Sequence, residues 1–289
     1  MNANSNLMRD LLWVINSPAL MRFPDSIEAQ VPRLQPSQID GAHLQAVIGN
    51  SQNFRVGKYF ESLVHYWLHH IRGCEVTSAN HQVVVGGRTV GEIDLIFLDE
   101  LGLLNHWELT VKFYLKNDSP LTDADSYVGP NVRDNLGRKH AHLLNRQLPL
   151  SHRHFPEVDI RKAFTRGRIF YHWKTSGPPR DIPQLAPDHQ TGQWLRANEL
   201  PTLLANSHAH YKINQKPFWL ANQLRTDDQA NNMRSEETLS ILQRHFENKE
   251  TPVLVSVFDA EASLVEETLR YFIVPDSWPE STAAEMYSS

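Results

Sequence analysis

Cysteine is nearly absent from these 289 residues: Cys74 stands alone, which excludes an internal disulfide framework and any cysteine-built zinc or iron–sulfur site. No apolar run approaches the roughly 20 residues that span a bilayer. Residues 1–10 carry no basic-then-apolar leader, so the expectation is a soluble, cytoplasmic protein. A Gly-x-Ser-x-Gly elbow and a Walker-type phosphate loop are missing, which leaves serine hydrolase and P-loop ATPase readings without an anchor. Repeats, heptad arrays and low-complexity tracts are missing too. His65 and His69 have a zinc-ligand spacing, but the residues between them include no general-base glutamate, which argues against a zincin.

What is present suits a globular fold. Apolar residues make up 40% of the chain and charged ones 21%, enough to build a core without disulfides or structural metal. The formal charge of −5 is unevenly spread. Residues 131–174 hold ten bases against three acids, a local +7, while the chain from residue 221 onward holds five bases against thirteen acids, a local −8. Such asymmetry fits one face that meets a polyanion. For any single charge run, a solvated helix face is the plainer explanation.

Periodicity predicts a short helix over 7–16, then a loop-rich stretch punctuated by Pro24, Pro32 and Pro36. The clearest helix is 56–71, with Val56, Phe60, Leu63, Val64, Trp67, Leu68 and Ile71 on one side and Gly73 as its stop. Strands are expected over 74–85, 89–98 and 103–115, the first two joined by a Gly86-Gly87 hairpin turn. A basic helix over 131–147 and a strand over 168–173 follow, before a Pro-rich connection at Gly177-Pro178-Pro179. The acidic C-terminal part suggests a helix over 236–246 and strands over 252–258 and 268–274. The resulting fold class is α/β, a mixed sheet flanked by helices. It divides into an N-terminal helical extension (1–50), a core (51–175) and an acidic α+β part (176–289) packed on that core.

Alternation along Gly91-Glu92-Ile93-Asp94-Leu95 points Glu92 and Asp94 to one face while Ile93 and Leu95 pack the other way. The next strand aligns Glu108, Thr110 and Lys112 likewise. Adjacent strands thus present gathered carboxylates, whose repulsion Mg²⁺ or Mn²⁺ relieves through hard oxygen ligands. Glu61 lies on the edge of the buried stripe of the first long helix, facing the sheet's rim. A surface ion pair between Glu108 and Lys112 is the plainer account of those two residues.

The pieces Arg55-x-Gly57-x-x-Phe60-Glu61, Gly91-Glu92-Ile93-Asp94 and Glu108…Lys112, in the order helix, three strands, helix, strand, resemble the PD-(D/E)XK nuclease superfamily, with its restriction-endonuclease-like fold. The runs 87–94, 106–115 and Val128-Gly129-Pro130-Asn131 resemble, more narrowly, a bacterial family of unassigned function, domain of unknown function 1853. The superfamily resemblance implies a Mg²⁺- or Mn²⁺-dependent nuclease. Asp94 and Glu108 would bind the metal with the Leu109 carbonyl, Glu61 would hold a metal-bound water, and a lysine would assist. DNA is the expected substrate before RNA. One position departs from that pattern: Thr110 stands where the superfamily has its lysine, and Lys112 lies about 13 Å along the strand from Glu108. Lys139, on the following helix, is the alternative ammonium. Arg133, Arg138, Lys139 and Arg146 are the expected contacts to nucleic acid.

Two other classes compete. One is the same fold without hydrolysis, a module that binds nucleic acid or a protein. The other is a two-carboxylate glycosidase, which would stay active in EDTA. Cys74 with His81 as a nucleophile pair, His152 and His154 as phosphate contacts, and Trp173, Trp194, Trp219 and Trp278 as base-stacking platforms complete the candidates; core packing is the plainer role for Cys74 and the tryptophans.

Overall fold

In a computed structural model of the chain, residues 3–49, 55–119, 123–175, 182–205, 208–226, 233–259 and 264–280 are described. The apolar stripe over 56–71 forms as expected. Helix α3 (Val56–Tyr66), preceded by α1 (Ala3–Asn16) and α2 (Gly41–Ile48), buries Tyr59, Phe60, Leu63, Val64 and Tyr66. Its continuation Trp67–Ile71 widens into a π-helical turn. Helix α2 lies inside the stretch read as loop. It starts at Asp40, whose carboxylate accepts the Ala42 and His43 N–H groups at 3.0 Å, a short-range cap that an apolar-period reading does not register.

Strands β1 (Glu75–Val85), β2 (Arg88–Leu98) and β3 (Leu104–Lys116) form an antiparallel meander close to the expected bounds. Gly86 and Gly87, at φ 56° and 79°, make the two-residue turn that a side chain would strain. Short β4 (Tyr127–Val128) pairs with the end of β3.

The expected helix over 131–147 is corrected in both bounds and shape. Helix α4 (Leu136–His142) begins after Asn135, whose Oδ1 accepts the Arg138 N–H at 2.8 Å. A π-helical turn, Leu143–Gln147, joins it to α5 (Leu148–His154). The wider turn re-aims every side chain that follows it.

Strand β5 (Ile160–His172) likewise starts well before the expected 168. The part before the expected start carries Arg161, Lys162 and Arg166 and so does not read as a strand, yet Arg166 is buried, as is Arg168. Arg166 donates to the Val14 and Ile15 carbonyls at 2.8 and 3.2 Å, and its guanidinium lies 3.9 Å from the centre of the Phe164 ring. The +7 segment is therefore not one face. Its helical half is exposed at the arginines, and much of its strand half is interior.

Beyond β5 come β6 (Gln190–Arg196), α6 (Leu200–Leu204), β7 (His210–Asn214), β8 (Leu224–Thr226), α7 (Ser235–Asn248), β9 (Val253–Phe258), β10 (Leu264–Glu266) and β11 (Leu269–Val274). The main sheet is mixed and nine-stranded, in the order β1-β2-β3-β5-β6-β11-β9-β7, with β4 beside β3. Strand β5 runs parallel to β3 over its length, and β6 and β11 continue the parallel pairing. The C-terminal strands thus extend the same sheet. Gly177-Pro178-Pro179 lies outside the described residues. The largest core cluster joins residues from Leu7 to Trp278, including Cys74, Trp194, Trp219 and Trp278, so these three tryptophans fill the interior. No helix among the described residues is long and apolar enough to cross a membrane.

Candidate functional site

Pairing between β2 and β3 runs from Leu98↔Leu104 to Leu95↔Trp107 and stops there. The next residues on the two strands are Asp94 and Glu108, so both acids stand where the ladder opens. With β2 no longer paired at that level, the Leu109 N–H donates to Asp94 Oδ2 at 2.8 Å. The opening also breaks the expected alternation. Ile93 packs with Val83, Ile96 and Leu150, whereas Leu95 and Phe97 join the core against α3. Gly91 permits this approach to α5: a Cβ there would sit 2.5 Å from Leu150 Cδ1.

Glu108 is fully buried on the face of β3 turned toward α4 and α5. Its Oε1 lies 2.7 Å from His106 Nε2, and its Oε2 accepts from Gln147 Nε2. His106 Nδ1 lies 2.7 Å from Ser151 Oγ, which also receives the Arg161 Nε–H at 2.8 Å. Burial pulls the His106 pKa down to about 4, so the ring is neutral at ordinary pH. With Glu108 ionised, Nε2–H donates to the carboxylate and Nδ1 accepts from the serine hydroxyl. Lys139 Nζ donates to Gln147 Oε1 at 2.8 Å, which places the ammonium one amide away from Glu108.

Electrostatics at this point are only partly compensated. Burial, reinforced by the charge of Glu108, holds the Asp94 carboxyl far above the usual range, with a smaller contribution from Glu61. Burial raises Glu108 as well, against the opposing pull of Lys139 and of its hydrogen bonds with Asp94. Burial and the neighbouring Lys112 lower the Lys139 pKa, which the two acids partly restore. Thr110, two residues after Glu108, has a buried hydroxyl with no hydrogen-bond partner.

The remaining expected site residues separate into groups. Asp94, Glu108 and Lys139 come together. Glu61 is turned to Lys58 at 3.0 Å, and that lysine also holds Asn80 Oδ1 at 2.7 Å. Among the described residues, no three His, Cys, Asp or Glu side chains are grouped so as to hold a metal ion. Lys112 is engaged by Asp134 at 2.7 Å and does not reach the acid pair. Displacement of four residues along β3 carries it to the α4 entry instead. Arg133 and Arg138 are exposed near the start of α4, and Arg146 is exposed farther along the helix.

A cleft of about 560 Å³ opens at Asp94, and Glu108 is not part of its lining. Glu92 and Asp94 stand on one wall with Val85, Val90 and Gly91; His142, Arg146, Gln147, Leu150, Arg153 and His154 form the other.

The model of the domain of unknown function DUF1853 matches residues 9–274, from within α1 to the end of β11. The chain belongs to the DUF1853 family. No curated protein matches it.

In this DUF1853 chain the site depends on residues that sequence reading did not single out. His106 shares the strand face of Glu108 by simple alternation, so its place beside the acid was available from the sequence. Gln147 and Ser151 were not, because the π-helical turn that aims them at β3 has no signature in residue type. Arg153 and His142 join Arg146 in the cleft, and His154 lines it as well. Cys74, by contrast, is buried with its thiol pushed up to about 11, chiefly by desolvation, a core residue and no nucleophile.

Proposed function

We propose that this chain is a divalent-metal-dependent nuclease with a restriction-endonuclease-like core. The observation that carries the reading is the Asp94–Glu108 pair at the opening of the β2–β3 ladder, with Asp94 on the wall of a cleft whose opposite wall bears arginines and Glu108 buried on the next strand. Helix α3, the β1–β3 meander, the α4–α5 helix and the parallel strand β5 follow the order that the resemblance implies. DNA is the favoured substrate over RNA.

The donor set suits Mg²⁺ or Mn²⁺. Mg²⁺ is commonly held by one or two carboxylates and keeps several of its waters, so a pair suffices where a triad does not form. Each carboxylate oxygen retains a lone pair beyond its hydrogen bond, and the raised pKa values of both acids mark a site that a cation would relieve. The Thr110 hydroxyl is a further unpartnered oxygen on the same strand face. Asp94 and Glu108 would hold the metal, which when bound lowers the pKa of water and neutralises charge on a phosphate. The chain's own groups do the rest. The Leu109 N–H fixes Asp94, His106 and Gln147 fix Glu108, and Lys139 supplies positive charge for the phosphate in its transition state. Glu61, paired with Lys58, stays at the margin.

Full burial of Glu108, with a protein donor on each oxygen, favours the second reading, a nuclease fold that binds without cutting. The test is incubation with single-stranded, duplex and branched DNA and with RNA, in Mg²⁺, Mn²⁺ or EDTA. Cleavage with metal, none in EDTA, and none from Asp94→Ala or Glu108→Ala is the expected result. Binding without cleavage of any substrate overturns the enzyme in favour of the module, and cleavage that persists in EDTA excludes the metal.

A further inference from the structure

The cleft beside Asp94 has two chemically different walls. On the helical wall, His142, Arg146, Arg153 and His154 follow one another along the α4–α5 helix. Arg146 and Arg153 are exposed, and no carboxylate among the described residues pairs with either. On the hairpin wall, Val85 and Val90 flank the Gly86-Gly87 turn with 47% and 48% of their surface exposed, and Val84 beside them is more exposed still. Leu150 forms the apolar floor between the walls. Three exposed valines at one hairpin tip gain nothing from water, and their cost to an isolated chain is unexplained by packing.

We infer that this cleft takes an unpaired strand of nucleic acid, with phosphates on Arg146 and Arg153 and base faces against Val85 and Val90. The inference deepens the nuclease reading and rests on it for the phosphate-bearing identity of the ligand. Charge complementarity sets the class: guanidinium groups recognise phosphate oxygens in a forked geometry, and they line the wall opposite Asp94. The apolar wall decides between single strand and duplex. In a duplex the base faces are stacked and covered, leaving only backbone and groove edges to meet the valines. An unpaired strand offers its base faces directly. The cleft's volume is of small-ligand size, matching a few nucleotides at most and no duplex lying within it. Aliphatic contacts to base faces discriminate little, so binding should be tolerant of sequence.

The test is fluorescence anisotropy of the full chain with labelled oligothymidylate, oligouridylate and a mixed-sequence DNA duplex of equal length, all in EDTA so that nothing is cut. Single strands should bind about tenfold or more tighter than the duplex. Arg146→Ala with Arg153→Ala should weaken single-strand binding at least tenfold and reduce the log–log salt slope by about 1.4, the share of two phosphate contacts on a single strand. Val85→Ser with Val90→Ser should erase the single-strand preference and leave duplex affinity unchanged. All four side chains are solvent-accessible, and thermal melting of each variant verifies the fold. The ratio of the DNA to the RNA strand affinity identifies which strand is preferred. Duplex binding as tight as single-strand binding, or single-strand affinity untouched by either pair of substitutions, overturns the inference. Single-strand binding in EDTA without cleavage in Mg²⁺ or Mn²⁺ contradicts the nuclease reading alone, whereas cleavage confined to duplex contradicts this inference alone.

Discussion

Arg270 with Glu267, beside β11, and Asp94 with Glu108, at the parting of β2 and β3, are both buried ionisable clusters, but they are compensated in opposite ways. All five N–H donors of Arg270 are used: Nε and Nη2 reach Glu267 at 2.7 and 2.9 Å, and the other bonds go to the carbonyls of Trp219, Leu220 and Ala221. Glu267 in turn receives the Gln223 N–H at 2.9 Å and the Ser256 hydroxyl. Charge is matched by charge, and both carboxylate oxygens of Glu267 accept hydrogen bonds from within the chain. At Asp94 and Glu108 two acids share one desolvated place, and the nearest ammonium reaches Glu108 only through Gln147. The first arrangement pairs opposite charges, whereas the second leaves both carboxyls raised, which is the feature the proposed cation would relieve.

Breaking the complete cluster should cost the fold most. Arg270→Ala leaves Glu267 buried and unpaired, and the expected loss is about 3–5 kcal/mol in urea unfolding. A loss below about 1 kcal/mol would remove the contrast. At the other site the effect should fall on activity. Lys139→Ala is expected to lower cleavage about a hundredfold with melting temperature nearly unchanged, and single-turnover rates would show it. His106→Ala should lower activity or metal affinity about 10–100-fold, since the ring holds Glu108 in place; an unchanged metal titration together with an unchanged rate contradicts that role.

Another buried carboxylate, Asp10, sharpens the comparison through pH. Asp10 accepts the Ala221 N–H at 2.9 Å and the Tyr59 hydroxyl at 2.8 Å, yet burial still raises its pKa to about 6. The native state therefore binds this proton more tightly than the unfolded chain. Its contribution to stability is fully present below about pH 4 and is lost as pH rises through about 6, a change of about 2–3 kcal/mol. Asp10→Asn should remove that slope from denaturation measured at pH 4.5 and 7. Parallel slopes in both proteins would contradict it. Lys112→Ala should do least, under about 1 kcal/mol in stability and little in rate, because its partner Asp134 lies at the surface.

The same contrast between local and remote causes governs what was legible in the residues. The Gly86-Gly87 turn, the α3 stripe and the β1–β3 meander are local patterns, and they formed as read. Asp94 and Glu108 were legible as acids on neighbouring strands, whereas the break in alternation between Ile93 and Leu95 was not, because it follows from where the ladder opens. The early start of β5 was hidden because Arg166 suits an interior strand only once the α1 carbonyls exist to receive it. For the same reason the basic segment read as one surface divides between cleft and core. Gln147 and Ser151 depend on a π-helical turn, and the reach of Lys139 on how that helix packs on β3, so neither is written in spacing.

Calorimetric titration of the metal-free protein with Mn²⁺ tests the central claim most directly. The account predicts a saturable binding heat in the wild type that disappears in both Asp94→Asn and Glu108→Gln and survives in Lys112→Ala. A wild type that binds no Mn²⁺, or a heat that persists in both acid variants, would contradict it.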